Sequence, residues 1–252
     1  MTNDNPSIHL GGTAKRTKDV RLLHKLSLQF AEIPITDPGR FGPWVEEYSR
    51  LKDNLGLYYV CHGVREGDPN DMAALERDYF PKIVDILPLM NRLGMNLLTI
   101  HLWMDRRYIE EKVFTFKINL LRRILGRATD AGITVCIENL SETASDLKIP
   151  FDELPQLKMT LDLGHAQLLT TSNRSFAFID QFPDRINHVH LHDNEGGHSY
   201  RDDLHLPPGE GIIDLKKIFE KLKKIGYTRT ITLELTPQEI KKCLAYVKEL
   251  IA

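Results

Sequence analysis

The sequence predicts an α/β protein, a single (β/α)8 barrel over residues 1–252. Three observations lead there. Eight short apolar runs alternate with helix-like stretches, the pattern of parallel strands joined by helical crossovers. Most of the later runs end in an acid or an imidazole: LYYVCH at His62, NLLTIH at His101, GITVCIE at Glu138, KMTLDLGH at Asp162 and His165, NHVHLHD at His190, and TITLE at Glu234. Chemistry repeated at strand ends suits the C-terminal mouth of a closed barrel, and the 252 residues fit the typical barrel length of about 250. The alternative is an open doubly wound sheet, which usually carries a glycine-rich GxGxxG turn after its first strand; HLGGTAK lacks one.

The elements follow in order. Ser7–Gly12 reads as the first strand and Lys18–Lys25 as a short helix. Leu28–Ile35 is the second strand, closed by a Pro/Gly-rich turn. Trp44–Asn54 is helical, and Gly56 opens the third strand. Met72–Leu93 reads as one long helix kinked or broken at Pro81 and Pro88, where a ring replaces an N–H. Met95–Leu102 is the fourth strand. Phe114, Ile118, Leu121, Leu125 and Ala128 recur at three- and four-residue spacing and mark Ile109–Ala131 as an amphipathic helix; Gly132 follows as its C-terminal stop. The fifth strand is Ile133–Glu138 and the sixth Lys158–Asp162. Phe176–Gln181 is helical, Ile186–His192 is the seventh strand, and a long loop follows it. Asp214–Ile225 is a helix, Thr230–Glu234 the eighth strand, and Pro237–Ile251 a final helix.

Net charge is −2, so bulk electrostatics draw the chain neither to nucleic acid nor to a membrane surface. No apolar stretch reaches the roughly 18 residues that a membrane span needs. The opening residues, MTNDNPSIHLGG, lack a charged region followed by an apolar one, so no signal peptide is expected. The three cysteines, Cys61, Cys136 and Cys243, are few and widely spaced, which speaks for a reducing cytoplasm rather than a disulfide framework.

Imidazole and carboxylate are the usual non-thiol ligands of zinc, and they also serve manganese, iron and cobalt. Glu138, Asp162, His190 and Glu234 end strands five to eight and together make a four-ligand site with room for water or substrate. His62 and His101, on strands three and four, neighbour Glu138 as a second group; His165, Asp203 and His205 form a third. Singly, each has a plainer reading, such as a surface histidine or a helix-capping Asp162. Their joint recurrence at strand ends is what points to metal.

The segments CIEN (Cys136–Asn139), LDLGHA (Leu161–Ala166), HVHLHDN (His188–Asn194), DLHLPPGEGIID (Asp203–Asp214) and LEL (Leu233–Leu235) resemble the xylose isomerase-like barrel superfamily, which includes sugar isomerases and epimerases and endonuclease IV. The resemblance covers nearly the whole chain. On the sugar-epimerase side it implies one divalent metal (manganese, zinc, cobalt or magnesium) held by Glu138, Asp162, His190 and Glu234. It also implies His165 as a substrate ligand and Glu138 and Glu234 as the proton-transfer pair flanking a small sugar. Proton abstraction beside a carbonyl, through an enediolate, requires such a base and an electrophile. On the endonuclease side it implies three zincs: one at His62, His101 and Glu138, one at Asp162, His190 and Glu234, one at His165, Asp203 and His205. Nucleic acid is a partner only on that side. The absence of a basic bias opposes it, as does AQLLTTSN after His165. Ketose epimerases carry an arginine six residues beyond the metal histidine; here Gly196 stands there, with Arg201 as the substitute from the loop. A dehydratase, a phosphosugar isomerase and a non-catalytic sugar-binding barrel are the remaining readings. Superfamily members are often homo-oligomers.

Other residues carry weaker signals. Trp103, just past His101, reads as a stacking surface for a sugar or as packing under a loop. Together with His62, His101 and Arg201 it completes the substrate-binding set. Glu32 lines the mouth or pairs with a buried cation. Lys15, Arg16, Lys18 and Arg21 are the densest basic cluster, read as a solvated helix start in preference to a holder of substrate phosphate. His192 and His198 read as residues behind or beside the site; His9 and His24 give no signal.

Overall fold

The structure is a computed structural model that describes residues 7–252. The expectation about a signal peptide falls partly on residues 1–6, outside that range. Eight parallel strands close into one barrel in sequence order: β1 His9–Thr13, β2 Phe30–Pro34, β3 Tyr58–His62, β4 Leu97–Ile100, β5 Thr134–Glu138, β6 Lys158–Asp162, β7 Ile186–Leu191 and β8 Thr230–Leu233. β8 pairs back onto β1, with Leu10 opposite Ile231. A helix follows each strand: α1 Thr17–Lys25, α2 Val45–Leu55, α3 Phe80–Leu93, α4 Glu111–Asp130, α5 Ala144–Glu153, α6 Ser175–Gln181, α7 Leu215–Lys224 and α8 Pro237–Ile251.

The period-two alternation of a strand sorts each run into two faces. Ala31, Ile33, Tyr59, Cys61, Leu98, Ile100, Val135, Ile137, Leu161, Val189, Ile231 and Leu233 join the large core between barrel and helices. Phe30, Val60, Leu97 and Cys136 form a separate small cluster. They are the alternate residues of the same strands and therefore face the barrel axis. Gly11 makes room for this plug, because a Cβ there would collide with the Phe30 ring. Two residues further along come polar groups, with Thr99 Oγ1 and Thr160 Oγ1 2.8 Å apart and His188 Nε2 3.0 Å from Thr232 Oγ1. The same inward face carries His62, His101, Glu138, Asp162, His190 and Glu234 at or just past the strand ends. On β4 the inward column runs from Leu97 through Thr99 to His101, and on β3 and β5 Val60 and Cys136 give way directly to His62 and Glu138; the apolar plug lies below the chemistry.

Three features depart from the sequence reading. Met72–Leu93 is helical throughout, as expected, but it widens into a π-helical stretch at Leu75–Tyr79 between a short α-helical turn at Met72–Ala74 and α3, and neither proline breaks it. The bulge lets Pro81 fall in the first turn of α3, where its missing N–H costs nothing, while Pro88 stays inside. Helix α5 was not anticipated, since Pro150 interrupts it; Thr143 and Asp146 start it by reciprocal capping, Thr143 N donating to Asp146 Oδ2 at 2.7 Å. Strand ends move by one or two residues, so that His101, His192 and Glu234 lie just past β4, β7 and β8.

Candidate metal centre

All the ligand-type side chains expected from the sequence meet at the C-terminal mouth. One ligand atom each from Glu138, Asp162, His190 and Glu234 lies within 4.8 Å of the others. His190 Nδ1 is 3.2 Å from Glu138 Oε1, 3.4 Å from Glu234 Oε1 and 3.8 Å from Asp162 Oδ2. The second group also forms: His101 Nε2 is 2.8 Å and His62 Nε2 3.3 Å from Glu138 Oε2. Glu138 therefore aims one oxygen at each group. The third gathers His165, Asp203 and His205, with Asp203 Oδ2 3.2 Å from His165 Nε2 and 3.1 Å from His205 Nε2. His205 holds the left-handed backbone (φ 47°), a costly conformation for a non-glycine residue.

Two residues matter more here than in the sequence. His192 is fully buried, 3.1 Å from Asp162 Oδ1, and its ring stacks on His205 at 3.9 Å, so it belongs to the third group. Its signal was the alternation HVHLH, which places His188, His190 and His192 on one face. Gly164 admits the ring, because any Cβ there would overlap it. Glu32 is fully buried and pairs with imidazole rather than with a lysine or arginine, lying 3.0 Å from His190 Nε2. That contact occupies Nε2, orients the ring and leaves Nδ1 facing Glu138, Asp162 and Glu234.

The charges explain the protonation pattern. Burial alone would raise the Glu138 carboxyl, but the imidazoles of His101, His190 and His165 outweigh it and hold it well below the usual range. Burial likewise opposes charge on His190 and His165. Glu234, Glu32 and Glu138 around the first, and Asp162, Asp203 and Glu138 around the second, raise both well above an ordinary imidazole. His205 is pushed up to about 9 against its burial, by Asp203 and Glu234. In the metal-free chain these imidazoles carry the positive charge that the carboxylates demand. A divalent cation satisfies the same demand with oxygen and nitrogen donors. Buried polar atoms without a hydrogen-bond partner point the same way: Asp203 Oδ1 and His192 Nδ1 are both spare. The residues present fit a divalent ion.

Two cavities open beside the centre. One of about 600 Å³ is lined by His101, Trp103, Tyr108, His165, His198 and Asp203 among others. Trp103 packs face to face with Tyr108 at 5.2 Å, and its Nε1 donates to Ser141 Oγ at 2.8 Å, so the indole is both wall and loop packing. The other, of about 900 Å³, reaches His62, His205 and Glu234 from the side of β1 and β3. Arg201 is exposed on the one-turn helix Tyr200–Asp202, between His198 and Asp203.

The family model for the xylose isomerase-like TIM barrel matches residues 20–250. The chain belongs to this family. An uncharacterised protein of Methanocaldococcus jannaschii is 33% identical over 145 residues, spanning 53% of this chain and 46% of that relative, which is under half its length. Among solved structures, a D-tagatose 3-epimerase-like protein superposes with a TM-score of 0.82 at 23% identity, covering 96% of this chain and 97% of the other. The IolI protein, solved with a zinc atom bound, superposes with a TM-score of 0.79 at 13% identity, covering 97% and 98%. At these identities the likeness shows the shared fold. Among the described residues no helix is long and apolar enough to cross a membrane.

Proposed function

We propose that this member of the xylose isomerase-like family is a divalent-metal-dependent sugar isomerase or epimerase that moves a proton at a carbon beside a carbonyl. The observation that carries the reading is the convergence of Glu138, Asp162, His190 and Glu234 within 4.8 Å at a mouth that opens into a sugar-sized cavity. These four would hold the ion, which supplies a Lewis acid for the developing oxyanion. The chain's own residues do the rest. Glu138 and Glu234 stand on β5 and just past β8, three strands apart on the ring, and so address a sugar from different sides. Glu234 lines the cavity and is partly exposed, which suits it to take or give the proton; Glu138 is buried and hydrogen-bonded, which suits it to hold charge until a substrate displaces a partner. His165 sits where a substrate oxygen entering from the smaller cavity would meet an N–H. Trp103 offers an apolar face to the sugar ring.

The test is solvent exchange. Protein purified with its metal, or loaded with manganese, is incubated with a panel of ketoses and ketose phosphates in deuterium oxide. Deuterium at the carbon beside the carbonyl is expected in at least one sugar; no incorporation across the panel overturns the reading. The second reading, metal-dependent cleavage of abasic DNA, is favoured by one observation: two further ligand groups, His62–His101–Glu138 and His165–His192–Asp203–His205, flank the first. A multinuclear site suits phosphodiester hydrolysis. Nicking of an abasic duplex with no sugar exchange would put it first.

A further inference from the structure

The larger cavity has one wall that proton transfer on a neutral sugar does not use. Lys15 and Arg16 from the β1–α1 loop, Lys18 from the first turn of α1 and Arg65 from the segment after β3 line it, facing Glu234, His62 and His205 across the same space. Arg65 is remote in sequence from the other three and joins them because β1 and β3 flank β2. Arg16 is committed, its guanidinium 3.9 Å from Asp19. Lys15, Lys18 and Arg65 enter no ion pair or side-chain hydrogen bond among the described residues. The acids on this wall are occupied elsewhere: Asp19 faces Arg16 and accepts its backbone N–H, and Glu239 caps α8 by accepting from Thr236 N and Oγ1 at 2.9 and 2.7 Å. The wall therefore carries uncompensated positive charge beside a centre rich in carboxylates. A neutral sugar gains nothing from it. An anionic sugar needs it, because Glu32, Glu138, Asp162, Asp203 and Glu234 would otherwise repel its approach.

We propose that Lys15, Lys18 and Arg65 form an oxyanion subsite, so that the sugar handled at the centre carries a phosphate or a carboxylate away from its reacting carbons. The proposal rests on the sugar reading above and narrows its substrate class. The guanidinium of Arg65 offers a fork of donors, and the two ammonium groups add charge on flexible stems. Thr36 and Thr236 line the same space and offer hydroxyls.

The test reads binding rather than turnover. The metal-containing protein is titrated calorimetrically with inorganic phosphate, a ketohexose 6-phosphate, a hexuronate and the matching neutral ketose. The triple variant Lys15→Ala, Lys18→Ala, Arg65→Ala is titrated alongside; all three side chains are exposed, and the thermal midpoint checks its fold. A charged sugar is expected to bind at least about tenfold tighter than the neutral one, with the preference lost in the triple variant and weakened by salt. Preference for the 6-phosphate or for the uronate identifies the source of the oxyanion. Equal binding of charged and neutral sugars, or a preference that survives the triple variant, overturns the subsite. Charged-sugar binding through these residues with no deuterium exchange would retain the subsite and remove the proton-transfer reading. Exchange on a neutral ketose, unchanged in the triple variant, would do the reverse.

Discussion

Replacing Glu234 by glutamine is expected to reduce sugar proton exchange by about 10²–10⁴-fold, the usual worth of a positioned acid–base group. Glutamine keeps the size of the side chain and can still accept a hydrogen bond, but it cannot take a proton near neutral pH. Stability should fall only a little. Glu234 sits just past β8 at the cavity wall, with its carboxylate 3.4 Å from His190 Nδ1 and 3.6 Å from His205 Nδ1, among several other acids. Removing its negative charge weakens the attraction that keeps His190 and His205 protonated, so the thermal midpoint of the variant should fall slightly while the fold stays intact. Exchange measured by mass spectrometry, beside a melting curve, checks both halves. Undiminished exchange would remove Glu234 from its role; a collapsed melting curve would show it to be structural.

The largest stability effect is expected at a buried ion pair beside the centre rather than at a ligand-type residue. Lys117 of α4 is fully buried, its Nζ 2.9 Å from Glu66 Oε2 and 2.7 Å from the Trp103 carbonyl, while Glu66 accepts the Trp103 backbone N–H. Burial lowers the lysine and raises the carboxyl, and their mutual attraction opposes both shifts. This pair ties the loop after β3 to the loop after β4, and so holds the backbone that carries His101 and Trp103. Lys117→Ala leaves a buried carboxyl without its partner and should cost about 3–5 kcal/mol in chemical denaturation. The double replacement Glu66→Gln, Lys117→Met should recover most of that loss, because an apolar and neutral substitute removes the stranded charge. A loss under about 1 kcal/mol in the single variant would mean that water reaches Glu66.

Much of the centre was legible in the sequence because strand geometry is periodic. An inward residue at a strand's C-terminal end must meet its neighbours at the mouth, so His62, His101, Glu138, Asp162, His190 and Glu234 could be grouped without coordinates. What was not legible depends on distances that the strand period does not set. Glu32 and His190 are 158 residues apart, and Glu32 carries no mark distinguishing an imidazole partner from a lysine. The Glu66–Lys117 pair joins a loop to a position on α4 where a lysine ordinarily faces water. Helix α5 starts from its caps and survives Pro150, which propensity alone argues against. The π-helical stretch before α3 precedes Pro81 directly, and the prolines show in the sequence only that some irregularity was due, not its form or place. His192 was visible in HVHLH but set aside, since the register that turns it toward Asp162 follows from the closed barrel.

We propose that Glu138, Asp162, His190 and Glu234 hold a divalent ion. Elemental analysis of protein purified without added metal or chelator tests it most directly, with the Asp162→Asn and His190→Ala variants measured in parallel. About one manganese, cobalt, iron, zinc or magnesium ion per chain is expected, lost in both variants. No bound metal in the parent, or an unchanged content in the variants, would contradict it.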